Sequence, residues 1–460
     1  MIKLLAFIIV ILTISCTTVK QSHYNEVERN LSNNNYDNAI KIIEENKDKE
    51  YGKDNRVLYY MNLGWVYHLK GSLIDTQESL KKADDYIQDL FTKSMSKNVA
   101  STVTNNKNIL PYEGEDFEKI AVNIIKALDY AYHGKLEDAT VEARKINEYL
   151  NFFNAERKVK TAYQEDAFGR YLAGILYESQ KQYNDAYLSY FKAYKTYKRY
   201  ELYYKTKTPM YLKKSLKRLM VRYATDDDLS KLKIELQDVK TQSLGKYKKR
   251  GRFLFILYNG YVPKKVSKSV YIDPRDYKIS YDRISMNYPT FQRRYHQISY
   301  AKVFINNSLY KTEVVHPIEV IAIRDLNDRL KREFPGMVLK KVNRLRAEKI
   351  LGKKEVKKEI DRNCSYILGR RTCNYSSFTN SDTFGLGNLA SIPAVDQADL
   401  RSWRFLPAEI DLADISLTPG KYNVRIEFYS KNGHLIDKTV FNSVNIEAEK
   451  EVFKWYRTTR

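Results

Sequence analysis

The strongest constraint on the fold of this chain is a spacing of small and aromatic residues that recurs in its first half. Three copies share the offsets between alanine or glycine and tyrosine, each within about 34 residues, the length of a helix-turn-helix unit. The matching positions are Tyr60, Leu63, Gly64, Tyr67, Gly71, Leu80 and Ala83; Ala127, Tyr130, Gly134, Leu136, Ala139 and Ile146; and Ala173, Gly174, Tyr177, Tyr183, Ala186 and Ala193. Small residues let two helices approach closely and large ones fill the space to the next unit, so the pattern predicts stacked helical hairpins.

This spacing is that of the tetratricopeptide (TPR) repeat, so we predict a TPR-like helical superhelix over residues 23–204. A partial unit, Tyr36 to Ile43, precedes the three copies. The period breaks at residues 84–118, where Thr and Asn cluster, and we predict an irregular insertion there. Insertions of this length are often functional. An irregular helical bundle is the alternative fold.

Two groups of side chains are candidates for a partner-binding surface in the helical domain. The first lies at the end of the insertion and would project beside the third repeat, near the fourth repeat. The second follows helical spacing and would line the concave face of that repeat. The first group is Tyr112, Glu113 and Glu115 beside Arg170, and the second is Phe168, Tyr171, Ile175 and Glu178. The alternative is that the aromatic side chains belong to the core and the charged ones to a solvated face.

The N-terminus resembles a bacterial lipoprotein signal. Lys3 precedes an apolar run from Leu4 to Ile14, and the small Ser15 stands directly before Cys16. The run is too short to cross a bilayer core as a helix, which favours a removed signal peptide. We therefore predict a signal peptide at residues 1–15.

This resemblance implies that Cys16 is lipidated and becomes the first residue of the mature chain, with residues 16–22 as a tether. Several acyl chains anchor a protein stably at a membrane. Thr17 after the cysteine favours the outer membrane, with the body facing the periplasm. An ordinary secreted protein and an uncleaved apolar anchor are the alternatives.

The net charge of +23 is distributed unevenly along the chain. Residues 17–200 hold 27 Lys+Arg against 27 Asp+Glu, whereas residues 201–460 hold 51 against 29, a balance of +22. This change supports a domain boundary, with a basic helical linker at residues 205–251. An exported basic surface favours anionic lipid headgroups, an anionic glycan or peptidoglycan, or an acidic protein, and argues against nucleic acid. The alternative is that these cations only keep the surface soluble.

From residue 252 onward the hydrophobic pattern changes from helical to strand-like spacing, so residues 252–460 are predicted to form a mixed α/β domain. FLFILYNG is an apolar run, KKVSKSVYI alternates like a half-buried strand, and Asn306-Asn307 predicts a hairpin turn. A helix follows over PIEVIAIRDLNDRLKREF, and we predict a second, basic helix from Gly336 to Ile360. After Trp403, three or four antiparallel strands are expected to close a small sheet or sandwich. The predicted fold class is thus α+β multidomain.

Cys364 and Cys373 lie in a polar loop of this domain. Outside the cytoplasm, an isolated pair separated by eight residues is most simply a disulfide. Two free thiols are the alternative.

No motif in the sequence indicates catalysis or a cofactor. The six histidines lack HExxH spacing, and G-x-S-x-G, GxxxxGK[ST] and CxxC are missing from the sequence. Two cysteines without a nearby histidine do not make a structural zinc site. We therefore predict a binding protein with no metal or cofactor, and keep a hydrolase with a nonstandard site as an alternative.

Four segments, LPYEGEDFEK, EDAFGRYLAG, IAIRDLNDRL and DLRSWRFLPAEI, follow the lipoprotein signal in this order. Together they resemble a family of bacterial tetratricopeptide lipoproteins with a β-rich C-terminal domain and no established activity. Some members are similar in gene context to outer-membrane lipoproteins that activate peptidoglycan synthases. This chain departs from the family in its basic second helix and its cysteine-bearing loop.

The sequence thus predicts a lipid-anchored cell-envelope scaffold whose repeats bind a protein partner and whose basic domain contacts the envelope. A binder or regulator of peptidoglycan or its synthases is the second hypothesis.

Overall fold

A computed structural model of the protein describes residues 19–96, 110–156, 163–277, 284–362, 364–367, 370–373 and 398–459. The signal peptide, Cys16 and the middle of the predicted insertion lie outside these residues. The fold class is α+β, as predicted, because helices form the first half and two small sheets form most of the rest.

The first half consists of helices that pack in sequential pairs. They are α1 (Gln21–Ser32), α2 (Tyr36–Glu45), α3 (Arg56–Lys70), α4 (Leu73–Ser96), α5 (Asp116–Tyr132), α6 (Leu136–Glu156), α7 (Ala167–Ser179) and α8 (Tyr183–Tyr203), with a π-helical turn at Lys47–Tyr51. The glycines of the repeat pattern mark close helix contacts. A Cβ atom at Gly64 would lie 2.5 Å from the Leu80 side chain, and one at Gly174 would lie 2.4 Å from Tyr190.

The predicted insertion at residues 84–118 is shorter than expected. Helix α4 continues to Ser96 because Ile87 and Leu90 extend its apolar face onto the core. Helix α5 then begins at Asp116, with Glu115 as its N-cap residue.

Residues 205–251, predicted as a basic helical linker, continue the helical array. They form α9 (Met210–Tyr223), α10 (Asp226–Glu235) and the short α11 (Leu244–Tyr247). Leu212, Leu216 and Leu219 of α9 lie in the same core as the repeats. The helical array, defined here as α1 to α11, therefore includes the basic segment.

The strands of the described residues are β1 (Gly251–Asn259), β2 (Lys264–Ile272), β3 (Ile284–Gln292), β4 (Ile298–Ile305), β5 (Ser308–Lys311), β6 (Glu313–His316), β7 (Cys364–Ile367), β8 (Arg370–Cys373), β9 (Glu409–Leu417), β10 (Gly420–Ser430), β11 (Leu435–Ile446) and β12 (Glu451–Thr458). They form two four-stranded sheets and two hairpins. Sheet A has the order β12-β1-β9-β6, sheet B has the order β11-β10-β4-β5, and β2–β3 and β7–β8 pair separately.

Strand β1 is buried along its whole length because both of its faces are covered. Phe253 and Phe255 pack with residues of sheet B, whereas Leu254 and Ile256 belong to the core that sheet A shares with the helices. Sheet A thus lies between the helical array and sheet B, and the predicted sandwich has a helical third layer.

Strand β12 pairs parallel to β1, which differs from the antiparallel strands predicted after Trp403. The direction of β12 is not set by a hairpin with its partner, because the preceding strand β11 belongs to sheet B.

The two predicted helices after Pro317 are one helix, α12 (Ile318–Arg362), which continues through Pro335. A proline removes one backbone donor from a helix interior and usually kinks or ends it. Here the helix continues without a break and packs on β2 and β3 around Ile284 and Met286. The packed residues are Phe334, before the proline, and Met337, Val338 and Val342 after it. We call β2, β3 and α12 from Phe334 onward the arm. In the part of the chain described, no helix is apolar and long enough to cross a membrane.

Candidate functional site

The residues predicted to bind a partner are, with one exception, buried. Glu113 has a side chain that is 54% exposed and lies 3.5 Å from Lys119. The buried ones are Tyr112, Glu115, Phe168, Arg170, Tyr171, Ile175 and Glu178. The prediction of an open surface is therefore wrong for these seven, because the β-rich half of the chain packs against the helices that carry them.

Glu178 at the end of α7 is the centre of one buried contact. Its carboxylate accepts hydrogen bonds from Arg218 at 2.8 Å, from Arg252 at 3.2 Å and from the Tyr190 hydroxyl at 2.7 Å. Burial opposes the charge of Arg218, but Glu178, Tyr247 and Tyr190 together raise the Arg218 pKa. Arg252 is the second residue of β1, so this ion pair joins the helical array to sheet A.

Asp414 of β9 extends the contact to a predicted tyrosine. Arg252 donates from Nε to Asp414 at 2.6 Å, and the Tyr171 hydroxyl donates to Asp414 at 3.2 Å. Glu451 lies opposite Arg252 in the register of β12 and β1. Burial raises the pKa of Glu451 to about 7, against the favourable charge of Arg252. Three carboxylates thus surround two guanidinium groups, and burial favours the protonated form of Glu451.

Glu115, the N-cap of α5, forms the second buried contact. It pairs with Lys265 of β2 and, at 2.6 Å, with Arg329 of α12. Burial would raise the Glu115 pKa, but Arg329 and Lys265 together hold it well below its ordinary value. Its neighbour Glu118 accepts a hydrogen bond from the Trp403 backbone N–H at 2.8 Å. The insertion residues therefore attach the array to the β-rich half.

An open cleft of about 430 Å³ lies where α9 meets β5 and β9. Its lining combines cations, tyrosines and neutral polar side chains. The residues are Tyr211, Lys214, Ser215, Arg218, Lys240, Thr241, Gln242, Tyr247, Arg250, Tyr310, Asp414, Ile415 and Ser416. Its volume lies within the range of small-ligand sites, which is about 300–1,000 Å³.

The cations of this cleft differ in what they contact. Within the described chain, Lys214 and Lys240 form no ion pair with a carboxylate. Arg250 donates to Ser416, to the hydroxyl at 3.0 Å and to the carbonyl oxygen at 2.9 Å. The one carboxylate in the described lining, Asp414, is bound by Arg252. The cleft is therefore positively charged.

The tyrosines of the cleft are neutral hydrogen-bond donors. Burial raises the pKa of both Tyr211 and Tyr247. The Tyr211 hydroxyl donates to the Lys311 carbonyl oxygen at 2.9 Å. The Tyr247 ring lies 3.6 Å from the Arg218 guanidinium, and its buried hydroxyl has no hydrogen-bond partner within the described chain. One donor in the cleft wall is thus unsatisfied.

Sequence reasoning missed a buried histidine that the fold brings between two partners. His68 lies 2.8 Å from Asp129 through Nδ1 and 2.9 Å from the Tyr258 hydroxyl through Nε2. The ring contacts Trp65 and Trp455, and all of these groups lie within the shared core. The side chains of His68 and Asp129 have no exposed surface, so this arrangement has no place for a substrate.

The described residues contain no cluster of three or more His, Cys, Asp or Glu able to hold a metal ion. The backbone is compatible with the predicted disulfide, because Cys364 and Cys373 are directly opposite each other in the β7–β8 ladder. Opposite residues of antiparallel strands lie about 4.5–5.5 Å apart at Cα, within the range that a disulfide spans. The bond itself stays a prediction.

A scan against protein-family models gives no match, and a search of curated proteins gives none. Among solved structures, the chain is similar to nearly identical TPR-like repeats from Podosopora anserina. The identity is 13%, with a TM-score of 0.29 and coverage of 47% of this chain and 93% of that chain. A single-site variant of those repeats gives the same identity and TM-score and is covered to 92%. At these values the similarity bears on neither partner nor activity.

Proposed function

We propose that this protein is a lipid-anchored scaffold of the bacterial cell envelope, which binds a protein partner on its helical array and contacts the envelope through its arm. It acts by binding and not by catalysis. The anchor is Cys16, and the location is the outer membrane facing the periplasm.

The observation that carries this proposal is the set of exposed cations on the arm. Helix α12 has 14 Lys+Arg against 8 Asp+Glu over residues 318–362. On the arm, Lys268 and Lys340 are exposed and form no ion pair within the described residues. Phe334, Met337 and Val342 pack in the small core that α12 forms with β2 and β3. Exposed cations on a separately packed element suit an anionic surface such as lipid headgroups or cell-wall polymer.

The array and sheet A support the scaffold role because buried ion pairs join them. With the inner side of the repeats occupied, a protein partner has to use the outer side. Val141 and Leu188 are the sixth residues of α6 and α8, and they are 47% and 43% exposed. Equivalent exposed apolar positions on successive hairpins favour this outer side as the partner surface.

Envelope contact is tested by sedimentation with purified sacculi and with anionic lipid vesicles across a salt series. The Lys268→Glu/Lys340→Glu double variant should lose sedimentation. The control is Lys81→Glu/Lys421→Glu, which makes the same charge change at exposed lysines outside the arm. Binding should also weaken as the Debye length falls from about 10 Å at 0.1 M salt to about 3 Å at 1 M. Equal loss in both variants would show a net-charge effect and remove the role of the arm.

The anchor and the partner are tested in intact cells. Radiolabelled palmitate should label the wild type and not Cys16→Ser; an unlabelled wild-type protein in the cytosolic fraction would refute the anchor. A photoreactive residue at position 141 or 188 should crosslink one partner, whereas one at position 78, the sixth residue of α4, serves as the comparison. Crosslinks from all three positions alike would indicate non-specific proximity.

Peptidoglycan or one of its synthases is the second candidate partner. Sedimentation with purified sacculi separates this partner from a lipid partner, because sacculi free of lipid would then be sufficient to sediment the protein.

A further inference from the structure

The cleft between α9, β5 and β9 differs from the arm because its cations line a concavity together with aromatic rings. We propose that this cleft binds a saccharide that carries an anionic group. This is a ligand site of its own, distinct from the outer surface of the repeats and from the arm.

The anionic group is assigned from the charges. Lys214, Lys240 and Arg250 line the cleft without a carboxylate partner in the described chain. Arg218 and Asp414 are already engaged by Glu178 and Arg252. Three cations with free capacity for an anion therefore surround one space. Hydrogen bonds between charged groups are stronger than those between neutral groups, so two of these cations together suit one phosphate or carboxylate.

The saccharide is assigned from the rest of the lining. Tyr211, Tyr247 and Tyr310 supply ring surface, on which the C–H face of a sugar can pack. Thr241 and Gln242, with Ser215 and Ser416, supply neutral donors and acceptors suited to hydroxyl groups. A site of this kind recognises a ring with many hydroxyls by many weak polar contacts.

An acidic peptide is the competing ligand, and the lining fits it less well. Peptide recognition generally uses apolar pockets for alternate side chains or a strand edge. Ile415 is the one aliphatic side chain in the lining, so the cleft lacks an apolar pocket in its described wall. A volume of about 430 Å³ is also small for an extended segment.

The test is isothermal titration calorimetry of the purified mature chain at low salt with five probes. They are glucose 6-phosphate, glucuronic acid, glucose, inorganic phosphate and a glutamate-rich peptide. We expect one-site binding of glucose 6-phosphate or glucuronic acid, at least about tenfold tighter than binding of glucose or phosphate alone.

Variants locate the site. Lys240→Glu should weaken this binding about tenfold or more by removing a cation, and Tyr310→Phe/Tyr211→Phe should weaken it less by removing only hydroxyl groups. Lys81→Glu, which makes the same charge change on α4, should leave the affinity unchanged. Chemical denaturation confirms that each variant is folded.

Four outcomes would overturn the proposal. Binding of inorganic phosphate as tight as that of the sugar phosphate would mean an anion site without saccharide recognition. Binding of the peptide alone would assign the cleft to a protein segment. Absence of binding by every probe, or equal loss in Lys240→Glu and Lys81→Glu, would leave no saccharide site.

Discussion

Cations of the second half of the chain occur in two contrasting settings, the buried contact with the helical array and the exposed arm. Arg252 and Lys265 are buried and pair with Glu178 and Glu115 of the repeats. Lys268, three residues from Lys265 on the same strand, is exposed and unpaired within the described chain. The same residue type on one strand thus joins the two halves at one position and faces solvent at the other.

This contrast explains the uneven charge of the sequence. The helical half is neutral overall, yet several of its carboxylates are used by cations of the basic half. Part of the +22 balance is therefore complementary charge inside the molecule, and only the remainder is available to a partner. Composition alone does not distinguish cations that pair inside the molecule from cations that are available to a partner.

The largest expected effect is at the buried contact. Glu115→Ala removes the carboxylate that Lys265 and Arg329 both contact, and leaves the buried Lys265 and the partly buried Arg329 without it. Loss of one partner from a buried pair costs about 3–5 kcal/mol. Urea denaturation of Glu115→Ala should show a decrease of this size in the free energy of unfolding.

Glu113→Ala is the matched control, because Glu113 is two residues away, exposed, and paired with Lys119 at 3.5 Å. Surface ion pairs contribute about 0–1 kcal/mol. Equal destabilisation by the two variants would mean that the buried contact does not hold the halves together.

The next effect is a pH dependence at Glu451. Its pKa is raised from the ordinary 4.5 to about 7 by burial, so the folded state binds this proton more tightly than the unfolded state. The resulting stability is fully present below about pH 4.5 and is lost as pH rises through about 7. The shift corresponds to about 3 kcal/mol.

Glu451→Gln keeps the shape of the side chain and removes the titration. The difference in unfolding free energy between wild type and Glu451→Gln should therefore change by up to about 3 kcal/mol between pH 4.5 and pH 7.5. Other buried acids such as Asp411 titrate in both proteins and cancel in this difference. Parallel pH profiles would contradict the raised pKa.

Local patterns predicted much of this fold. The small residues at Gly64 and Gly174 mark close helix contacts, and Asn306 has the positive φ expected of the hairpin turn between β4 and β5. Strand β2 has the bounds of the alternating segment that predicts it. These features depend on neighbours within one or two elements, which the sequence places directly.

Contacts between distant elements were not predictable in the same way. The spacing of Tyr171 and Glu178 marks one face of α7, yet their partners, Asp414 and Arg252, lie in the second half of the sequence. The cleft brings residues 211–218 together with residues 240–250, 310 and 414–416. The spacing of residues along a helix predicts that one face is buried. Which strands cover that face depends on the topology of the whole chain.

A smaller effect on stability is expected when a glycine of the helical array and a glycine of the arm are each replaced by alanine. Gly174→Ala would place a Cβ 2.4 Å from the buried Tyr190 ring in the array, and overpacking of this kind costs about 1–3 kcal/mol. Gly336→Ala in α12 of the arm would meet no atom within 4 Å. Alanine is favoured over glycine in helices by about 1 kcal/mol, so this variant should be stabilising. Thermal unfolding of both tests whether the tight helix pairing is confined to the array.

The smallest expected effect on stability is at the exposed lysines of the arm. Lys268→Ala removes a cation that touches no carboxylate of the described chain, so the free energy of unfolding should change by less than about 0.5 kcal/mol. Lys265→Ala, on the same strand, should cost several times more because Glu115 then loses one of its two cations. Vesicle sedimentation should reverse this order, because only Lys268 faces an external anion. If Lys268→Ala unfolds the protein as easily as Lys265→Ala, the cations of the arm serve the fold and the envelope contact has no separate basis.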